Sequence, residues 1–363
     1  MFEGKKSRLW SLWLFSCIAV GLAACSPYLA PPGPGLDPDL HPSAGLYNQA
    51  ISADEAPGVE ITRGNLVTGD GLALPWRCWT PEVGADRLIL ALHGFNDYSS
   101  AFEQPALFWA QRGIKTCAYD QRGFGRSPNT GLWAGADIMT GDLRTAISAL
   151  REQHPALPLF LLGDSMGGAV ILAASDGPQT LPADGVILAA PAVWARATMP
   201  WYQTTALWIS VHTLPWAQVS GGGLKIQPSD NIEMLRELGR DPLVIKETRV
   251  DTVYGLVNLM DIALAAAPRL TLPALLLYGE RDEIVPADPT FELWRNLPQG
   301  AQSRQVRALY QDGWHMLLRD LNAQVVLADV AQWTEDPTAP LPSGADTYAQ
   351  QTLVGLDSNS QED

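Results

Sequence analysis

Three side chains from distant stretches of this chain have the types that nucleophilic catalysis needs: Ser165, Asp282 and His315. Ser165 stands in "LFLLGDSMGGAV", residues 159–170, where an apolar run gives way to small residues. Its surroundings, Gly163-Asp164-Ser165-Met166-Gly167, fit G-x-S-x-G, with strand character before and helix character after. A hydroxyl on such a sharp, strained turn is lifted clear of the backbone. Crowding by strand and helix two positions either side accounts for Gly163 and Gly167, while Gly168 lets the helix pack closely.

A serine hydroxyl is a weak nucleophile until a base takes its proton. The chain has five His. His41 falls in a Pro-rich stretch, His154 precedes a Pro at a helix end, His212 lies in a long insertion and His93 abuts a glycine turn. His315, in "DGWHMLLRD", follows the last expected strand at the start of the final helix. An imidazole base needs an acid to fix its tautomer and stabilise its charge. Asp282, in "LLLYGERDEIVP", occupies the loop just past an apolar strand, with Glu280 and Asp288 as competitors. A tetrahedral oxyanion needs donors. The N–H of Met166, directly after the nucleophile, is one, and the N–H of Phe95 in "LALHGFND" is the candidate second. His93 then reads as a turn residue rather than a base.

The elements that must position these groups alternate strand and helix. "VEITRGNLVTGDGLALPWRCWTP" reads as two strands joined by a Gly-Asp-Gly turn. Apolar runs at 88–92, 114–119, 157–162, 186–190 and 274–278 follow, with a last strand at 303–310 and helices at 137–153 and 289–297. Short, fully apolar strands separated by helices imply an α/β fold with a mostly parallel sheet covered on both faces. The sequence divides into a core at 58–191 and 273–335, interrupted by a cap at 192–272.

The ends read differently. Lys5, Lys6 and Arg8, an apolar run from Leu9 to Val20 and then "LAACS" have the layout of a secretory signal at residues 1–24. The apolar run falls short of the roughly 20 residues a spanning helix needs. Residues 25–57, rich in Pro and Gly, read as an extended tether. Residues 336–363 carry five acidic groups and no basic one, which reads as a disordered tail.

The formal net charge is −15, from 24 Lys and Arg against 39 Asp and Glu. Without residues 1–24 the counts become 21 and 38, or −17. So acidic a surface repels nucleic acid and anionic headgroups, and neutral substrates fit it better than anionic ones. Of four Cys, Cys17 lies in the signal and Cys25 ends it. Cys78 and Cys117 sit on expected strands, where an oxidising compartment would permit a disulfide and burial would equally suit two free thiols. No CxxC or Cys/His cluster suggests a metal, and the chemistry calls for no cofactor.

Taken together, "HGFND", "DQRGFGRSP", "GDSMGG", "GERDEIVP" and "GWHMLLRD" resemble the monoacylglycerol lipase and lysophospholipase-like branch of the α/β-hydrolases, often grouped with serine aminopeptidase-type domains. The likeness runs from about Val59 to Trp333 and includes the cap segment "SDNIEMLRELGRDPLV". It implies the α/β-hydrolase fold, with Ser165 as nucleophile, Asp282 and His315 as relay, and Phe95 and Met166 as oxyanion donors. It also implies that "DQRGFGRSP" braces the oxyanion turn. Two positions depart from the family: Asp164 stands where a His is common, and Asn96-Asp97 replace the end of H-G-x-G-E. "LAACS" likewise resembles the lipobox of bacterial lipoproteins, which implies acylation of Cys25 and, with Ser26 following, an outer-membrane address.

Thr198 and Pro200 could start a cap helix reaching about Thr213. Trp201 and Trp208 would share one face of it, flanked by Trp194 and Trp216, either packing the cap on the core or lining an acyl slot. Gly221-Gly222-Gly223 could hinge the cap or form an ordinary loop. The expectation is an exported, lipid-anchored hydrolase of lipid-like carboxylic esters. Amidase, peptidase or thioesterase chemistry on the same groups, or a non-catalytic envelope lipoprotein, are the alternatives.

Overall fold

The computed structural model describes residues 26–37, 43–49, 57–177, 180–223, 225–298 and 304–359. Its centre is a nine-stranded sheet in the order β1-β2-β3-β5-β4-β6-β7-β10-β11. The strands are β1 (Gly45–Gln49), β2 (Val59–Val67), β3 (Ala73–Pro81), β4 (Arg87–Leu92), β5 (Ile114–Tyr119), β6 (Leu159–Asp164), β7 (Gly185–Ala189), β10 (Ala274–Gly279) and β11 (Gln305–Tyr310). β1 to β3 join antiparallel, and β3 meets β5 antiparallel. From β5 onward every pairing is parallel. A two-stranded ribbon, β8 (Gln218–Val219) with β9 (Thr248–Arg249), stands apart in the cap beside the short helix α5 (Ile232–Arg240).

Alternate side chains of each central strand enter opposite cores, as the period of two requires. In β4, Leu88, Leu90 and Leu92 pack into one, Ile89 and Ala91 into the other. The first face is covered by α2 (Ala136–Gln153), α3 (Met166–Ala174), α6 (Val250–Ala266) and α7 (Ala287–Asn296). The second is covered by α1 (Glu103–Ala110) and α8 (Ala323–Glu335). All nine residues of α3 are buried, which is why it carries only small and aliphatic side chains behind the serine.

Cys78 and Cys117 face each other across β3 and β5 and form a disulfide. Of the two states the sequence left open, the structure holds the bonded one.

Four expectations about the ends and the cap need correction. Residues 25–57 are not a free tether where they are described. β1 adds an edge strand to β2, and the segment before it lies along the body. There Ala30 N–H donates to the Trp133 carbonyl at 2.8 Å and Gly33 N–H to Asp70 Oδ2 at 2.7 Å. Nor is the tail disordered: α9 (Ala345–Asn359) closes the β11 edge, with Leu341, Ala345 and Ala349 buried. The cap ends earlier than residue 272, because α6 packs against α3 and belongs to the core layer. Although α6 with its short extension to Arg269 is apolar and long enough to span a bilayer, 61% of its most apolar 18 residues is buried in the protein. Finally, Thr198 does not cap the cap helix α4 (Trp201–Thr213); its hydroxyl donates to the Ala195 carbonyl and Pro200 precedes the first turn. The signal, residues 1–24, and Cys25 lie outside the described residues.

Candidate active site

β6 ends at Asp164 and α3 begins at Met166, leaving Ser165 alone on the turn with φ 49° and ψ −109°. A non-glycine residue there is strained, at a cost of about 1–3 kcal/mol that the surrounding structure must offset. Backbone bonds hold it: Ser165 N–H donates to the Ala189 carbonyl at 2.9 Å, and Ala192 N–H to the Ser165 carbonyl at 2.9 Å. The flanking glycines are required by contact. A Cβ on Gly163 would strike the backbone of Gly167 and Gly168, and one on Gly167 would strike the Leu92 carbonyl at the end of β4. Gly168 faces Pro191, whose Cβ would lie 2.9 Å away from an added methyl.

His315 and Asp282 come from the loops after β11 and β10. The strands are parallel neighbours, so their C-terminal loops meet at one rim. Arg281 N–H donates to the Gly313 carbonyl at 2.9 Å and Glu280 N–H to the Tyr310 carbonyl at 2.9 Å. The result is a continuous chain: Asp282 Oδ2 lies 2.8 Å from His315 Nδ1, and His315 Nε2 lies 3.0 Å from Ser165 Oγ. An ionised carboxylate only accepts, so Nδ1 carries the proton and Nε2 is left to accept the serine O–H. Asp282 Oδ1 takes the N–H groups of Ile284 and Val285 at 2.8 and 2.9 Å, which fixes the carboxylate. Its side chain is fully buried. The competitors go elsewhere: Glu280 accepts from Tyr348, and Asp288 lies in the first turn of α7.

Burial works against a charged His315, but the Asp282 carboxylate and the hydrogen bond to it, joined by Asp164 and Asp320, lift its pKa above the ordinary histidine value. Burial also raises Asp164, to about 6, against the pull of Arg319 and His315.

Opposite the serine, β4 runs into the turn His93-Gly94-Phe95-Asn96. Gly94 comes close enough that a Cβ there would touch the Ser165 Cβ at 3.4 Å. Among the hydrogen bonds of the described residues, none uses the N–H of Phe95 or of Met166. His93 is fully buried: Gln121 N–H donates to its Nε2 at 2.9 Å and the Gln121 side chain donates to its carbonyl at 2.8 Å. Phe124 packs edge-on against both His93 and Phe95. "DQRGFGRSP" therefore braces this turn. The remaining described histidines stand away from the serine, His154 beside Lys115 and His212 on Trp208.

The sequence reading missed a second layer. Arg319 donates to Asp97 Oδ2 at 2.6 Å, pinning the oxyanion-side turn to the loop that carries the histidine. Asp320 accepts from Trp314 N–H at 2.8 Å and from the Ser229 hydroxyl at 2.6 Å, tying that same loop to the cap. Met316 N–H donates to the Pro228 carbonyl, and Ile245 N–H to the Asn96 carbonyl, both at 3.0 Å. The "RD" of "LLRD" was the available signal, since two charged residues beside an apolar loop must find partners.

The cap aromatics divide. Trp194 packs on the core, but Trp201, Trp208 and Trp216 are exposed, neither buried under the cap nor walling a closed slot.

A sheet of this order, with a serine on the β6 turn and a histidine and an acid on the last two strand loops, defines the α/β-hydrolase class. Solved structures agree on the fold. A yeast (Saccharomyces cerevisiae) monoglyceride lipase, a soluble variant solved with a substrate analogue, superposes with TM-score 0.65 at 19% identity, covering 80% of this chain and 98% of that one. The Paleococcus ferrophilus monoacylglycerol lipase gives 0.60 at 19% identity, covering 73% and 99%. The profile of the serine aminopeptidase, S33 family (Hydrolase_4) matches residues 84–322, and the chain belongs to that family. Among characterised relatives, rat (Rattus norvegicus) monoglyceride lipase is 26% identical over 279 residues, 74% of this chain and 89% of that protein. The monoacylglycerol lipase of Mycolicibacterium smegmatis is 25% identical over 279 residues, 72% and 93%.

Proposed function

We propose that this chain is a carboxylic ester hydrolase acting on lipid-like esters of the monoacylglycerol or lysophospholipid class through an acyl-enzyme. The observation that carries the reading is the unbroken contact from Asp282 through His315 to Ser165 on a strained, glycine-flanked turn. In this mechanism Ser165 Oγ attacks the ester carbonyl carbon while His315 Nε2 takes its proton. The negative charge that develops on the carbonyl oxygen is met by the N–H groups of Phe95 and Met166. His315 then delivers the proton to the departing alcohol, leaving the acyl group on Ser165. Water enters, gives a proton to His315 and releases the carboxylic acid, and Ser165 recovers its proton. Asp282 remains ionised and holds the ring. The relatives that act on monoacylglycerols support the substrate class, and the acidic surface disfavours anionic substrates.

The N-terminal sequence supports export, with the chain anchored to the outer membrane by acylation of Cys25. Ser165→Ala is expected to lower p-nitrophenyl ester turnover by about 10⁴-fold or more. Undiminished hydrolysis would reject the assignment. A series of esters of rising acyl length, run beside aminoacyl amides, checks the substrate class; preference for the amides would move the enzyme to peptidase chemistry.

A further inference from the structure

The turn that carries Phe95 is held from the cap as well as from the core. Asn96 has φ 66°, in the left-handed region that glycine enters freely and asparagine more readily than most others. The pattern H-G-x-G-E, which this turn resembles, has glycine at that place, with no side chain to offer a neighbour. Here the Asn96 side-chain amide donates to Thr248 Oγ1 at 2.8 Å. Its Oδ1 is buried with no hydrogen bond among the described residues, so the contact with Thr248 is what orients the amide. Two more bonds follow the same route. Ile245 N–H donates to the Asn96 carbonyl at 3.0 Å, and the Tyr98 hydroxyl to Asp241 Oδ2 at 2.7 Å.

The cap segment that receives these bonds is internally braced. Asp241 Oδ1 takes Leu243 N–H at 2.8 Å, and the Lys246 ammonium donates to the carbonyls of Asp241 and Val244, each at 2.6 Å. Thr248 is buried and opens β9, whose pairing with β8 carries it into the rest of the cap. The other side of the turn is pinned independently, Asp97 by Arg319 and Tyr98 N–H by Asp97 Oδ1 at 2.8 Å. With Asn96 held in one conformation, the chain leaves Phe95 in one direction and the Phe95 N–H keeps one aim. Asn96 and Thr248 stand outside the chain of contacts from Asp282 to Ser165.

We propose that Asn96 and Thr248 are positioning residues for the oxyanion: through their hydrogen bond, the cap sets the direction of the Phe95 N–H. The inference rests on the hydrolase function proposed above, and makes the cap part of what stabilises the transition state rather than a cover alone. A donor fixed before the reaction begins needs no reorganisation as charge develops. Removing a whole oxyanion donor ordinarily lowers kcat by about 10²–10³-fold, so one left in place but loosely aimed should lose about tenfold.

The test compares full-length variants on p-nitrophenyl butyrate. Thr248→Val keeps the shape but cannot accept from Asn96, and should lower kcat by about tenfold with KM within about twofold. Thr248→Ser keeps the hydroxyl and should return kcat to within about twofold of the original chain. Asn96→Gly suits φ 66° without strain and should match Thr248→Val. The joint variant should lose no more than either single one, since each removes the same bond. An alkyl boronic acid forms a tetrahedral adduct with a serine and mimics the transition state, so each slow variant should bind it about tenfold more weakly. Full kcat in Thr248→Val or Asn96→Gly overturns the proposal, as does an equal loss in Thr248→Ser. Losses that multiply in the joint variant, or a slow variant with undiminished boronate affinity, also overturn it. An original chain without ester turnover rejects the hydrolase reading itself, and this inference with it.

Discussion

Asp164 is the charged group nearest the nucleophile in the chain. It lies next to the nucleophile, almost fully buried, with a carboxyl pushed up to about 6 by burial. An unfolded aspartate titrates near 3.8, so between about pH 4 and 6 the folded state binds more protons and stability falls as pH rises. Asp164→Asn should remove its share of that slope, leaving the share of Asp142, which burial also raises to about 6. It should also raise stability at neutral pH by up to about 3 kcal/mol, as urea melts at a series of pH values would show. The same substitution removes one of the charges that raise His315. Catalysis needs the neutral imidazole, so the acidic limb of kcat/KM should move to lower pH in the variant. In stability the sign is the same for His315: its raised pKa contributes in acid and that contribution is lost as pH rises through the folded value. Ser165, Asp282 and His315 were legible in the sequence because chemistry admits few residue types and chain order limits the choice among them. Arg319 and Asp320 were not, because a charged pair announces a partner without saying which one.

Among the elements, the parallel strands were readable from their apolar runs, and the helices between them from periodicity and boundaries. What escaped were elements whose burial leaves little trace in composition. β1, "GLYNQ", is mostly polar and gains its place by pairing with β2 along its whole length. α9 buries alanines at 345 and 349, which carry almost no hydrophobic signal. The pairing of Cys78 with Cys117 depended on a register that no single strand reveals. Their loop spans 39 residues, for which the chain-entropy account gives about 4 kcal/mol of stabilisation. Joint Cys78→Ala and Cys117→Ala substitution should therefore lower stability by about 2–4 kcal/mol in urea while leaving ester turnover at 25 °C intact, since the bond lies two strands from the serine.

At the scale of the whole molecule, the N-terminal segment is part of the body. Asp70 is the junction: one oxygen takes Gly33 N–H, both engage Arg122, and Arg122 in turn grips Asp142 on α2. Arg122 holds the Asp70 carboxyl well below the usual carboxylate range. Asp70→Ala should cost about 1–3 kcal/mol and expose the segment before β2 to limited proteolysis, with cleavage appearing before residue 57 while the core survives. The tether expectation failed here because Pro and Gly suit an extended strand laid on a surface as well as a free one.

The end of the cap nearest the histidine is riveted to both catalytic loops. Pro228, Ser229 and Asn231 bind the histidine loop and Ile245 binds the oxyanion-side turn, whereas α4 rests on α6 and the chain after it passes through β8 to three exposed glycines. Movement that admits a substrate or releases a product is therefore expected on the α4 side, because among the described residues α4 makes no hydrogen bond to either catalytic loop. On the proposed function, restraining α4 is then expected to slow product escape rather than bond cleavage, so that the pace of turnover would not rest on Ser165, His315 and Asp282 alone.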